Sequence, residues 1–508
     1  MLGLVPSASL LGIDGHAVTV EVHMTGGLPS FTVVGLPDAS CREARDRVRA
    51  ALQSTGFAWP QKRVTVNLAP PTVRKVGSGL DLAIAVAMLV ADGHLQQQQV
   101  GDRAFLGELG LDGTVRPVIG TICLIEAFGD GALVLPRESV EEARLVANRV
   151  LHPVHTLGEV VACLRGDEPW PSPGPASDPE PSPPQADLAD VRGQPVARFA
   201  LEVAAAGGHH LLMLGPPGAG KTMLASRLPG LLPPLSDRDA LETTRIHSAA
   251  GIGLPRGGLV RYAPFRAPHH GASSVALVGG GTSLMRPGEI SAATNGVLFL
   301  DELAEFAPHV LDALRQPLEE GVVRVARAVA TVSFPARFLL VAAMNPCPCG
   351  YGSQPGGCRC TEGARLRYQR RLSGPLLDRF DLRVEVSRPS VDDLLSQARG
   401  EPSAAVAARV AEVRDVAVLR GVRANAELPA SRLDEVAPLT EGALALLEEA
   451  LRSGRLSARG LHRVRRVART IADLQGAPHE LSAAHVAIAL GLRVDAPGVT
   501  PPVQALAG

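Results

Sequence analysis

HHLLMLGPPGAGKTMLASRL, residues 209–228, decides the fold. Within it Gly215-Pro216-Pro217-Gly218-Ala219-Gly220-Lys221-Thr222 matches G-x-x-x-x-G-K-[ST] at every fixed position. The apolar run His210–Leu214 predicts a strand before the loop, and Thr222–Leu228 predicts a helix after it. Glycines there let backbone N–H groups wrap a phosphate chain, and the helix N-terminus adds its positive end. Lys221 brings a compact ammonium to the β- and γ-phosphates, and Thr222 a hydroxyl to Mg²⁺. A chance glycine-rich turn would lack both the full spacing and the flanking elements.

Partners for this loop follow along the chain. Gly296-Val-Leu-Phe-Leu-Asp301-Glu302 is an apolar run ending in two carboxylates, the form of a buried parallel strand with acids at its C-terminal tip. Asp301 is expected to hold Mg²⁺ through water, and Glu302 to polarise the attacking water. A third strand, Phe338–Ala343, ends at Met344-Asn345, which places Asn345 to position that water. In GPLLDRFDLRVEV, Arg379 sits on a short helix before a strand, where a cationic fork could reach the γ-phosphate of a neighbouring subunit. A surface ion pair with Asp378 or Asp381 is the plainer alternative. In RLSARGLHRVRRVARTIADL, Arg455, Arg459, Arg463 and Arg466 fall on one helical face opposite Leu461, Val464, Ala468 and Ile471. That face is either solvated or, at Arg459, turned to the nucleotide.

Outward from the loop, EPWPSPGPASDPEPSPPQ (168–185) has no apolar period and reads as an extended linker. The sequence therefore predicts a multi-domain α/β protein: 1–167, an α+β unit; 168–188, the linker; 189–390, a P-loop core with a parallel sheet; and 391–508, a helical region. In the first unit HAVTVEVHM, SFTVVGL and RVTVNLAP read as strands. SCREARDRVRAALQSTG reads as a helix capped by Ser40 and stopped at Gly56, LDLAIAVAMLVADG as a buried helix, and FLGELGLDGTVRPV as a hairpin turning at Asp112-Gly113.

The chain has 508 residues and a net charge of −1, which argues against a polybasic nucleic-acid binder but not against a local basic path. Aromatics are 3%, too few for a base-stacking platform. No apolar run reaches the ~18–20 residues of a membrane helix. Met1–Gly12 is apolar but lacks a basic start, so it is not read as a signal peptide, and a cytoplasmic protein is expected. Only Lys62, Lys75 and Lys221 are lysines among the 50 basic side chains. Arginine replaces lysine nearly everywhere, which marks the survivors. Cys347, Cys349, Cys358 and Cys360 form C-x-C-x8-C-x-C in a glycine-rich loop. Four thiolates suit tetrahedral Zn²⁺, although the paired spacing is tighter than usual; reduced surface thiols are the alternative. Cys41, Cys123 and Cys163 are scattered and read as apolar fillers.

Taken together, these motifs resemble the magnesium-chelatase-like YifB/ComM family of AAA+ ATPases. The carriers are FRAPHHGASSVALVGGG, RPGEISAATNGVLFLDELAEF, FPARFLLVAAMNPCPCGYG, LSGPLLDRFDL and LSARGLHRVRRVARTIADL. The resemblance spans nearly the whole chain. It implies an ATP- and Mg²⁺-dependent homo-oligomeric ring, a hexamer, with Arg379 as arginine finger, Arg459 as sensor 2 and the C-terminal helices as a lid. It also implies a DNA helicase that promotes branch migration during natural transformation. Two insertions are candidates for the ring's pore: the segment carrying Arg266, His269, His270 and Gly279–Gly281, and the hairpin GVVRVARAVATVSF with Arg324 and Arg327 near its turn. Similar hairpins in MCM helicases line a DNA channel, and Arg–phosphate contacts there would be sequence-independent and salt-sensitive. For the two histidines a loop-packing role is equally open.

The first unit resembles the Lon-protease/ribosomal-S5-like fold through VRKVGSGLDLAIAVAMLVADG and LGELGLDGTVRPVIGT. A protease of that kind needs a Ser in the first segment and a Lys after the second. Gly79 takes the Ser position, beside Ser78, and Thr121-Ile122-Cys123 supplies no lysine. The resemblance thus implies a degenerate unit used for assembly or DNA contact. Three functions compete: a DNA-translocating motor, a chelatase motor driving metal insertion into a porphyrin, and an ATP-dependent protease. The missing Ser–Lys dyad disfavours the last.

Overall fold

The computed structural model describes residues 2–494 except 147–148, 179–184, 282–284, 328–330, 352–357, 396–398 and 477–478. The apolar runs flanking the phosphate loop form the central strands of a mixed α/β fold. Five parallel strands lie in the order Phe265–Arg266, Val297–Leu300, Leu339–Met344, Leu211–Leu214, Leu382–Glu385. The middle three are buried at every position, as a parallel sheet covered on both faces requires. Alternate residues feed two different cores. Leu212, Leu298, Leu300 and Leu340 enter one; Leu211, Phe299, Val341 and Val384 enter the other, under the C-terminal helices. Leu214 pairs with Met344 and Leu300 with Ala342, so three strand tips share one edge.

The first unit is built on a four-stranded sheet ordered Leu2–Leu11, Asp14–Thr25, Arg63–Ala69, Ser30–Val34. The apolar start is thus a strand, paired along its full length with Asp14–Thr25. The helix Asp81–Ala91 is buried at every residue, and Glu108–Leu109 pairs with Val115–Arg116 around the Asp112-Gly113 turn. The amphipathic helix runs Ala39–Ser54, but its cap is Asp38, whose carboxylate accepts the Cys41 N–H at 2.8 Å. Asp38 competes better than Ser40 because it also holds the Gly77 N–H at 3.2 Å.

One apolar core crosses from the first unit into the second. Leu10, Ile13, Ile122 and Leu124 join Ile246, Leu277, Val332 and Phe334. The hairpin Val322–Ala326/Thr331–Pro335 buries Val323, Val325, Val332 and Phe334 there, which leaves Arg324 and Ser333 on its outer face. The start of the proline-rich segment is docked: Trp170 stacks on His152 with centroids 4.5 Å apart, and Arg103 lies over it. Its residues 179–184 lie outside the described residues.

The C-terminal region consists chiefly of the helices Ser403–Leu419, Glu441–Arg452, Ala458–Leu474 and Ala483–Gly491, and 495–508 lie outside the described residues. The four arginines read as one face do not act as a set. Arg455 precedes the helix, Arg459 is exposed, and Arg463 and Arg466 turn inward to Asp381 and the Leu428 carbonyl. Arg465 and Arg469, adjacent in helical turns, are buried on Asp434 and Asp473. Among the described residues no helix is long and apolar enough to cross a membrane.

Candidate functional site

The loop Gly215–Gly220 leaves the tip of Leu211–Leu214, and the helix Lys221–Ala225 begins behind Gly220, whose φ of 88° suits glycine. Lys221 is buried. Its ammonium donates to the carbonyls of Gly215 (2.6 Å) and Pro216 (3.0 Å) and to Asn345 Oδ1 (3.1 Å). Burial lowers its pKa, while Asp301 and Glu302 push the other way. Thr222 Oγ1 donates to Asp301 Oδ2 at 2.6 Å, and Asp301 Oδ1 accepts the Glu302 N–H at 2.9 Å. A hydroxyl and a carboxylate are the hard oxygen donors that Mg²⁺ takes. The structure therefore brings Lys221, Thr222, Asp301, Glu302 and Asn345 together at one sheet edge.

Glu302 has left-handed backbone, φ 51°. A non-glycine residue held there is the kind of local strain that clusters at functional sites. Its half-exposed carboxylate lies 3.1 Å from His270 Nδ1. His270 in turn packs against His269 at 4.0 Å and edge-on to Phe306. The His-His pair was visible in sequence, but nothing there pointed it at Glu302.

Two further contacts on the loop had no sequence signal. Gln194 Nε2 donates to the Ala219 carbonyl at 2.6 Å, and Arg388 donates to the Pro217 carbonyl at 3.1 Å. Beside Gln194 opens a cavity of about 470 Å³ lined by Leu188, Val191, Arg192, Phe199 and Val406 among others.

Arg379 follows the helix Gly374–Leu377 and pairs with Glu319, not with Asp378 or Asp381. Burial lowers its pKa, and Arg463, Arg459 and Arg315 lower it further. Arg379 and Arg459 therefore share one cationic patch. Asp381 is committed elsewhere, to Arg463 at 2.6 Å and His209 at 3.6 Å. Burial alone would raise its carboxyl, but His209 and Arg463 hold it far below the carboxylate range. His210, partly exposed just before the Leu211–Leu214 strand, accepts the Leu340 N–H, and desolvation pushes it down to about 4.

The arginines expected on DNA differ from one another. Arg266 is spent on Glu289 in a two-point pair at 2.6 and 2.7 Å. Arg324, on the strand Val322–Ala326, meets Glu320 at the end of the preceding helix, and Arg327 is exposed beside Gly280. The hairpin tip, 328–330, lies outside the described residues. The four cysteine sulfurs Cys347, Cys349, Cys358 and Cys360 come within 4.8 Å of one another, a set compatible with Zn²⁺.

Residues 187–394 match the family described as "Magnesium chelatase, subunit ChlI", 20–139 match "Subunit ChlI of Mg-chelatase", and 400–493 match its C-terminal part. Competence protein ComM of Haemophilus influenzae is 45% identical over 97% of each chain. An uncharacterized protein of Mycobacterium tuberculosis is 47% identical over 94% of this chain and 95% of its own. The magnesium-chelatase 38 kDa subunit of Cereibacter sphaeroides is 29% identical over only 35% of this chain and 51% of its own.

Proposed function

Because the chain belongs to the magnesium-chelatase-like family that includes competence protein ComM and the YifB proteins, we propose that it is an ATP hydrolase whose ring drives DNA translocation and branch migration. The observation that carries the ATPase half is the closed set Lys221–Asn345 and Thr222–Asp301, with Glu302 adjoining. On this reading the phosphates replace the carbonyl contacts of Lys221, Thr222 and Asp301 hold Mg²⁺, and Glu302 takes the proton of the attacking water while Asn345 orients it. Mg²⁺ held by Thr222 and Asp301 would supply charge neutralisation to the phosphates. The cavity beside Gln194, lined by Leu188, Val191 and Phe199 together with charged Arg192, Arg198 and Glu202, receives the base.

Arg379 acts as arginine finger on the site of the next subunit in the ring, and Arg459 reaches the bound nucleotide from the lid as sensor 2. The cationic patch they share supports this. The four cysteines hold Zn²⁺. The first unit is a degenerate Lon-like domain, in keeping with Ser78 being held by Glu108 and Lys75 by the Pro70 carbonyl. The C-terminal helices are the lid.

DNA passes the outer face of the hairpin, where Arg324 and Arg327 present cations that exposed pairing neutralises only weakly. The near-complete coverage of the ComM relative favours DNA over a porphyrin-linked role, since the chelatase subunit aligns over a third of the chain. The test is ATP turnover with and without branched DNA across a salt series. Branched DNA is expected to stimulate turnover, with salt weakening the effect. In the Arg324→Ala/Arg327→Ala double variant the ratio of stimulated to basal rate should fall severalfold. Indifference to DNA would return the chelatase motor to first place.

A further inference from the structure

The segment that carries Cys347 and Cys349 touches the phosphate loop through Gly350, and nothing in the ATPase chemistry requires that. The separations Cys347–Cys349, Cys347–Cys358 and Cys349–Cys358 are 3.3, 3.6 and 3.6 Å between sulfurs. A tetrahedral centre with Zn–S near 2.3 Å has S···S edges of about 3.8 Å. A disulfide would bring two sulfurs to about 2.05 Å. Donors also converge on the sulfurs: the Tyr351 and Arg359 amides on Cys349, the Cys360 amide and the Arg365 guanidinium on Cys358. Donors of this kind stabilise thiolate ligands from outside a metal's own shell.

The cluster is joined to the nucleotide machinery at three points. Cys347 lies two residues beyond Asn345 at the tip of the Leu339–Met344 strand. Gly350, with φ 84°, packs so closely on the phosphate loop that a Cβ there would fall 2.5 Å from the Pro217 ring. Arg388 bridges the same two parts: it donates to the Pro217 carbonyl and lies over the Tyr351 ring, 5.7 Å from its centroid. On the far side of the cluster, the helix Glu362–Gln369 carries Tyr368, which is buried and hydrogen-bonded to the Asn345 backbone.

We propose that zinc in the Cys347/Cys349/Cys358/Cys360 site fixes the positions of Pro217 and Asn345, so that nucleotide affinity depends on the metal. The proposal rests on the ATPase reading above. A filled site ties residues 347–350 to 358–360 and holds 347–350 as a rigid wall behind the phosphate loop. Without metal the same residues keep only the weak contacts of thiols, and the wall no longer determines where Pro217 and Asn345 sit. The cysteines are positioning residues here; none touches the reacting atoms.

Elemental analysis of the purified full chain is expected to give one zinc per chain. Removing it with a chelator selective for zinc over Mg²⁺ should weaken binding of a fluorescent ATP analogue about tenfold. Adding Zn²⁺ should restore binding, with circular dichroism confirming that the fold persists. Gly350→Ala separates site from coupling: it should keep the zinc yet bind the analogue severalfold more weakly, because its methyl displaces Pro217. Zinc-free protein with four titratable thiols at these positions overturns the site. Affinity unchanged within twofold, both after stripping and in Gly350→Ala, overturns the coupling. Zinc-loaded chain that binds no nucleotide overturns the ATPase reading, and the coupling with it.

Discussion

Lys75 in the first unit and Lys221 in the parallel-sheet unit are both buried lysines that spend their ammonium on main-chain carbonyls. Burial lowers the pKa of each. The difference lies in what surrounds them. Lys221 has Asn345, Asp301 and Glu302 at hand and stands at the N-terminus of a helix, where anions are welcome. Lys75 faces the Pro70 carbonyl and the Cys41 thiol, which burial and then Asp38 push well above the usual range. A thiol so held is inert, and Ser78 nearby donates a hydrogen bond to Glu108. A buried cation marks chemistry only where acids and a second polar group converge on the same edge.

Removing the charge from each lysine breaks the comparison at its strongest point first. Lys221→Ala should lower ATP turnover about 10²–10³-fold, the range for deleting one fixed donor to developing charge. Its thermal midpoint should change little, because the deleted contacts are to carbonyls that the loop can expose to water. Equal loss of stability and turnover would mean that Lys221 is structural, as Lys75 is.

Much of that contrast could be read from the chain. The phosphate loop, the Asp301-Glu302 tip and the Asn345 tip follow from spacing and from apolar runs, and the parallel sheet brings them into register. What escaped were contacts between residues far apart in sequence. Pairing of His270 with Glu302, and of Arg388 with Pro217, depends on how loops fold over the sheet edge, and no periodicity encodes that. Helical spacing of arginines misled for a related reason. Arg463 and Arg466 look like part of a solvated face, yet one meets Asp381 and the other the Leu428 carbonyl, both supplied by segments outside the helix. Ser40 was displaced as a cap because Asp38 can serve a second N–H from Gly77, a contact invisible until the sheet is formed.

Lys75→Ala tests the other half of the comparison. It deletes a fully buried chain and leaves the Pro70 carbonyl without its partner. A cavity plus an unsatisfied acceptor should cost about 2–4 kcal/mol. At about 2–4 °C per kcal/mol for a unit of this size, the first thermal transition should fall noticeably. Turnover measured well below that transition should stay within twofold of the parent. A specific loss of activity without loss of stability would give the first unit a chemical role that its side chains do not suggest.

Lys62 supplies the smallest effect and fixes the scale. Its ammonium meets Asp92 at 2.7 Å, with the lysine chain 44% and the aspartate 19% exposed. Asp92 caps the C-terminal end of the buried helix Asp81–Ala91, where a negative charge opposes the helix dipole. Lys62 therefore offsets an unfavourable charge rather than building a site, and His94, 3.5 Å from the same carboxylate, shares the task when protonated. Lys62→Met should cost under about 1 kcal/mol, as exposed pairs do. Because salt screens both the pair and the helix end, the difference from the parent should shrink between low salt and 1 M, where the screening length is about 3 Å. A cost that persists at high salt would place Lys62 with Lys75, as packing that happens to carry a charge.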